Sequence, residues 1–304
     1  MTTSQELRLD RAVRDGDHLT LGATAREIAA GADAVPTACD LLEGDNVGRR
    51  EFAVRLLGEI AARGGDDAPD AVAALAGLVR AGEEHTVLCG ALEALAALAD
   101  ATAAREPLLA LAGHPSFSIR WRLAAALRAA HGGDPRVDDA LVALAGDPRP
   151  IVRLEAVDAM ALLPPPRHAA VDDALRAACD DADDRTAVSA LVGLARAGAP
   201  LPDEPLARVL APERMCLVSS GAAERLLTAL AASGRPEAHA PLRHLALLWK
   251  PREPIAARAL GAALEATAAA GPIPEPAARE SLRAGPRAPA PARSARGSGW
   301  RPRR

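Results

Sequence analysis

The sequence predicts an all-α protein, a single file of helix pairs with no appreciable β-structure. Three observations carry that prediction. First, a pattern repeats after about 33 residues, the size of one supersecondary unit. Gly113-His114-Pro115 leads to Ile119-Arg120, Leu123-Ala124 and Leu127, and Gly146-Asp147-Pro148 leads in the same register to Val152-Arg153, Ala156-Val157 and Met160. Self-similarity of this kind marks stacked units, because a hairpin with one apolar face cannot bury it alone. Second, 49% of the residues are apolar but only 2% are aromatic, and Tyr is absent. Ala and Leu make up most of the apolar total; both are strong helix formers, and they suit thin layers of closely approaching helices. Third, apolar residues recur at helical spacing almost from end to end, interrupted at intervals of one helix length by Gly, Pro or Asp.

The elements follow in order. Residues 1–34 read as two short N-terminal capping helices around Asp15-Gly16-Asp17. Residues 35–270 read as about seven antiparallel pairs. Val35–Glu43 pairs with Val47–Ala62, Pro69–Arg80 with Glu84–Ala99, and Ala103–Ala112 with Ser116–Ala130. Pro135–Ala145 pairs with Pro148–Leu163, His168–Cys179 with Asp183–Ala197, Pro205–Leu210 with Ser219–Ala232, and Ala238–Trp249 with Glu253–Ala270. Asp67, Asp134, Asp147 and Asp203 stand where an N-cap oxygen accepts an orphan helix N–H, each followed closely by Pro in the first turn. Gly64-Gly65, Gly132-Gly133 and Gly198 stop helices at the other end. Within one second helix Ile119, Leu123, Ala126 and Leu127 share a face, and Val152, Ala156, Ala159 and Met160 repeat it one unit later. From Gly271 onward Pro, Arg, Ala, Gly and Ser dominate. Such a stretch buries too little apolar area to offset its ordering entropy, so 271–304 reads as a disordered basic tail.

Charge is uneven. The tail holds eight Arg and two Glu, a net of +6, which leaves −10 for positions 1–270 of a chain whose total is −4. An acidic body is a poor general binder of nucleic acid or anionic membrane, so only weak contact through the tail is expected. The tail is expected either to fold back on the body or to act as a passive solubilising extension. The four cysteines, Cys39, Cys89, Cys179 and Cys216, show neither metal-ligand spacing nor a disulfide framework. They read as small core residues of a protein in the reducing cytoplasm, and the polar stretch Met1 to Asp17 predicts no secretory signal. No apolar run is long enough to span a membrane. Near-exclusive use of Arg over Lys points to a GC-rich bacterial source.

The Asp-Pro-x-x-x-Val-Arg-x-x-Ala pattern resembles the HEAT-repeat family, including the bacterial HEAT-like repeats of phycobilin lyases. Asp147-Pro148, Val152-Arg153 and Ala156 fit it fully. His114-Pro115 with Ile119-Arg120 fits with His in place of Asp, and Asp45 with Arg49 and Ala53 fits at altered spacing. Around Asp180 to Ser189 only a trace remains, and the second and last two hairpins lack the Arg. The resemblance, strong in two units and extended over roughly residues 20–270, implies a right-handed α-solenoid whose second helices line a concave, protein-binding face. It also implies that Arg153 and Asp147, and by analogy Arg120, tie neighbouring units together.

The candidate partner-binding residues are Arg49, Arg50, Arg55, Arg120, Trp121, Arg122 and Arg153. Trp121 between two Arg has the composition of an interface hot spot. The alternative is that it packs on the next hairpin with its N–H at the surface. Arg49, Arg50 and Arg55 either extend the same patch or form a solvated helix face. No His set has ligand geometry, there is no H-E-x-x-H, no phosphate-binding glycine loop and no nucleophile elbow, so no metal, cofactor or catalytic residue is expected. The expected function is a non-enzymatic scaffold for a protein or peptide. The alternative is an enzyme on the same scaffold, DNA alkylpurine glycosylase-like or bilin lyase-like, or a weak nucleic-acid binder.

Overall fold

A computed structural model describes residues 1–31, 33–80, 84–164, 167–215, 218–249 and 254–269. The regular structure among these residues is all helical, with no strand, and they belong to one unit spanning Met1–Gly271. The expected tail, 271–304, lies outside them, as does Cys216.

The helices alternate between two layers. The first-helix layer holds α1 (Thr3–Asp15), α3 (Ala34–Leu42), α5 (Ala68–Arg80), α7 (Arg105–Leu109), α9 (Pro135–Ala145), α11 (Ala169–Ala178), α13 (Asp203–Val209) with the single turn α14 (Pro212–Met215), and α16 (His239–Leu248). The second-helix layer holds α2 (His18–Ile28), α4 (Val47–Arg63), α6 (His85–Ala96), α8 (Phe117–Ala129), α10 (Pro150–Leu162), α12 (Asp184–Arg196), α15 (Ser220–Ser233) and α17 (Pro254–Ala269). Each second helix packs on the next one in the series, from α2 through α17, so contacts run between neighbours in single file. This is an α-solenoid.

Local chemistry sets the boundaries. Asp134 caps α9 by accepting from the Arg136 N–H at 2.9 Å, with Pro135 in the first turn. Gly64, Gly65, Gly132, Gly133 and Gly198 all have positive φ, the left-handed region that lets the chain leave a helix. Two expectations shift. Asp203 is the first residue of α13 rather than its cap, because Pro202 occupies that place. α10 begins at Pro150 and not at Pro148, while the Asp147 carboxylate, three residues upstream, accepts from the Arg149 N–H at 2.8 Å.

The core is thin. Its largest fully buried side chains are Phe52 and a series of Leu, with Ile119 on α8. Of the cysteines, Cys89 and Cys179 are buried free thiols, while Cys39 is only half-buried. Glycine brings second helices close. A Cβ on Gly58 of α4 would stand 3.1 Å from the Ala94 Cβ of α6, and one on Gly193 of α12 would stand 2.9 Å from the Ala161 Cα of α10. In α12 every residue from Thr186 to Ala195 is buried, so this helix shows no solvated face along its middle. Over it, Arg225 of α15 reaches Asp158 of α10 at 3.4 Å, and Ser189 of α12 donates to Asp158 at 2.5 Å. Short side chains on α12 let its neighbours meet across it. Toward the N-terminus the surface of the second helices opens.

Candidate functional site

The open part is a groove of about 740 Å³ across α4, α6 and α8. The spacing of second-helix residues builds it. On α4, Glu51, Arg55 and Glu59 stand at i, i+4 and i+8, one face of a helix, and on α6 so do His85, Cys89 and Glu93. Ser118 and Arg122 of α8 form the far wall. The lining also includes Gly58, Ala62, Gly90, Ala94 and Ala97, small residues that raise at most a methyl group into the space.

A hydrogen-bonded chain crosses from α6 to α8. The Cys89 Sγ lies 3.6 Å from the His85 Nε2, which lies 3.0 Å from the Ser118 Oγ, which in turn lies 2.8 Å from the Ser116 Oγ. Burial pushes the Cys89 thiol above its ordinary range, although Arg122 pulls the other way. The thiol is therefore protonated and a poor nucleophile at neutral pH. Arg122 donates through Nε to Glu93 at 2.5 Å and lies over the Trp121 ring, 4.7 Å from its centroid. The Trp121 N–H is donated to Glu155 of α10 at 3.1 Å. Burial raises the Glu155 carboxyl above its usual value, and that hydrogen bond only partly offsets it.

The seven candidate residues separate by role. Arg55 and Arg122 line the groove; Trp121 does not, and its ring lies under Arg122, half-buried and bonded to the next unit. Arg49, Arg120 and Arg153, near the N-termini of their helices, face other units instead. Arg49 donates to Asp10 of α1 at 2.9 Å through Nε. Arg120 forks onto Asp147, at 2.6 Å through Nε and 3.2 Å through Nη2. Arg153 forks in the same way onto Asp181, at 2.7 and 3.1 Å. The bidentate geometry is the strong form of this interaction. Arg50 is half-buried and does not line the groove.

Arg153 and Asp147 thus both tie neighbouring units together, as expected, but their side chains do not pair with each other. Arg153 meets only the Asp147 backbone carbonyl, at 3.1 Å, while its guanidinium pairs with the carboxylate of the following turn. Each Arg reaches forward because its side chain leaves the first turn of the second helix toward the next unit's entry loop. Burial works to raise the Asp147 carboxyl, but the bonds from Arg120 and from the Arg149 N–H outweigh it, and the net shift is downward. Asp181 is lowered chiefly by its bond to Arg153.

The same geometry explains His114, which takes the place of Asp147 one unit earlier. Its Nδ1 accepts from the Ser116 N–H at 3.1 Å, as Asp147 accepts from Arg149. One period before Arg120 stands Val87, fully buried. With no Arg arriving from the previous unit, position 114 needs an acceptor and not a charge.

Sequence reasoning missed His85, Cys89, Glu93 and Glu155. The repeat contained a signal for three of them. One period back from Arg122 lies Cys89, one period forward lies Glu155, and one period back from Ser118 lies His85. Positions equivalent by register occupy equivalent places on the second-helix face. Among the described residues, no group of three or more His, Cys, Asp or Glu is placed to hold a metal ion, and no helix is long and apolar enough to cross a membrane.

Comparison with known proteins agrees with this architecture. A family model described as HEAT repeats matches residues 80–161, the segment from the end of α5 through α10. Among solved structures, the X-ray structure of YibA from Escherichia coli superposes with a TM-score of 0.55 at 18% identity, covering 85% of this chain and 93% of that one. A likeness at that identity speaks to the fold alone. A search of curated proteins returns no match. Residues 80–161 are HEAT repeats, and the helices described on either side continue the same file.

Proposed function

We propose that this protein is a non-enzymatic scaffold that holds a segment of a protein partner in the groove across α4, α6 and α8. The observation that carries this reading is the groove itself. It is open, crosses three consecutive repeats, and joins a floor of Gly and Ala to a rim of charged side chains. That combination, an apolar centre with a polar rim, is the anatomy of a protein interface. The partner-contacting residues among the candidates are then Arg55 and Arg122, with Trp121 under Arg122, while Arg49, Arg120 and Arg153 support the stack. Its free thiols, Cys89 and Cys179 buried among them, suit the reducing cytoplasm as the place where it works.

The glycosylase-like alternative draws on Trp121 beside Glu155. That ring already carries Arg122 on one face and spends its N–H on Glu155, so stacking a base there requires both contacts to break.

The reading is tested with a photo-crosslinking amino acid placed at Thr86, an exposed position lining the groove, and separately at Asp139, exposed on α9 in the other layer. Crosslinking in cells of origin is expected to trap a discrete protein from position 86 and not from 139. Equal trapping from both positions, or none from 86, refutes the proposal.

A further inference from the structure

The charge of the groove depends on where its arginine heads lie, and neither lies over the floor. Arg55 leaves α4 on the side of α2. Its Nη1 donates to the His18 carbonyl at 3.3 Å and would stand 3.6 Å from a Cβ on Gly22, so the guanidinium is held against α2 and away from α6. Arg122 is held on the opposite wall by Glu93 and by the Trp121 ring. On α4, Glu51 is exposed and its carboxylate makes no hydrogen bond or ion pair with the other described residues. Among the described residues Glu59 pairs with Arg26 alone, at 3.9 Å, and that Arg is 65% exposed. Among the described residues Glu51 thus stands over the groove without an ion-pair partner and Glu59 with only a long, exposed one, and Arg122 leaves its own Glu93 partner 61% exposed.

We propose that the occupant of this groove is a basic peptide segment, presenting two Arg or Lys side chains about 12 Å apart. The spacing follows from Glu51 and Glu59, eight positions apart on one helix that rises ~1.5 Å per residue. The floor fits the same chemistry. Gly58, Ala62, Gly90, Ala94 and Ala97 form a smooth apolar strip on which the aliphatic stem of Arg or Lys lies flat while its head reaches a carboxylate. The net charge of −10 over positions 1–270 attracts a cationic segment from a distance and disfavours an acidic one. This inference rests on the reading of the groove as a docking site and goes further by naming the chemistry of what docks.

The test uses the full chain and three helical peptides on an Ala-Gln host, each labelled with a neutral dye. They carry Arg, Gln or Glu at two positions separated as Glu51 and Glu59 are, and binding is read by fluorescence anisotropy at low and at moderate salt. The Arg peptide is expected to bind best, the Gln peptide about threefold to tenfold more weakly, and the Glu peptide weakest, with the differences shrinking as salt rises. The double variant Glu51→Gln/Glu59→Gln is expected to erase the preference for Arg over Gln. Thr86→Trp, which fills the groove from an exposed position, is expected to weaken the Arg peptide severalfold while circular dichroism stays unchanged. If the Gln or Glu peptide binds as well as the Arg peptide and Thr86→Trp blocks it, the basic occupant is wrong and the docking site stands. If Arg binding survives both Thr86→Trp and the double variant, the attraction is diffuse and the inference falls together with the docking site. Absence of Arg-peptide binding up to about 1 mM also overturns it.

Discussion

Replacing a single glycine with alanine should have opposite effects at two places in this fold. Gly77 in α5 is exposed, and a Cβ there meets nothing within 4 Å. Gly193 in α12 is buried, and its Cβ would stand 2.9 Å from the Ala161 Cα, 2.9 Å from the Leu175 Cδ1 and 3.0 Å from the Ala161 Cβ. Both substitutions gain helix propensity of about 0.8–1 kcal/mol. At Gly77 nothing opposes the gain. At Gly193 the nearest atom is backbone, which cannot rotate aside. Carbon atoms sit best at about 3.5–4.0 Å, so α10 and α12 must separate by roughly half an ångström or more. Overpacking of this kind costs about 1–3 kcal/mol, and the separation also loosens the contacts that bury α12. The net expectation is that Gly77→Ala stabilises by up to about 1 kcal/mol, and that Gly193→Ala destabilises by up to about 2 kcal/mol. At roughly 2–4 °C per kcal/mol, thermal unfolding followed by circular dichroism separates the two variants by several degrees, on either side of the parent. Equal upward shifts would show that α10 and α12 are not held at the distance described, and the account of how α12 becomes buried would fail with it.

Two further predictions concern carboxylates. Arg153→Ala should destabilise by about 1–3 kcal/mol, since it leaves Asp181, whose side chain is 11% exposed, without its forked partner. In a double-mutant cycle with Asp181→Ala the coupling should exceed about 0.5 kcal/mol at pH 7. Because Asp181 is lowered from 3.8 in the folded state, that coupling is complete above pH 3.8 and fades as the pH falls through the folded value; a coupling independent of pH would remove the ion pair from the argument. Glu155 has the opposite sign. Its carboxyl is raised from 4.5 by burial, so the ionised form opposes folding above that range, and the opposition vanishes once the pH is below 4.5. Glu155→Gln, which keeps an acceptor for the Trp121 N–H, should raise the melting temperature at pH 7 and lose its advantage toward pH 4. A variant less stable than the parent at pH 7 would show that Arg128 and Arg225 outweigh desolvation.

The architecture is local and was therefore legible in the sequence. Asp134 with Pro135, the paired glycines at 64–65 and 132–133, and the shared register of Ile119 with Val152 are signals read by neighbouring backbone. They establish helix ends and the spacing of units whatever lies elsewhere, because a repeat touches only the repeats beside it. Arginine roles are not local. Arg120 and Arg122 are two positions apart, yet one closes a joint to the next unit's turn and the other lines a groove shared with α4 and α6. The repeat pattern marked Arg120 as a tie between units but could not name the carboxylate each Arg meets, since a guanidinium's partner lies almost a full repeat away along the chain and is chosen by the side of the helix it leaves. The burial of α12, the open groove toward the N-terminus and the drawing aside of Arg55 toward α2 were likewise decided only by packing. Sequence alone determined that helix pairs stack in register; the distance between neighbouring helices, set by a few glycines and short side chains, determined where that stack leaves room for a partner.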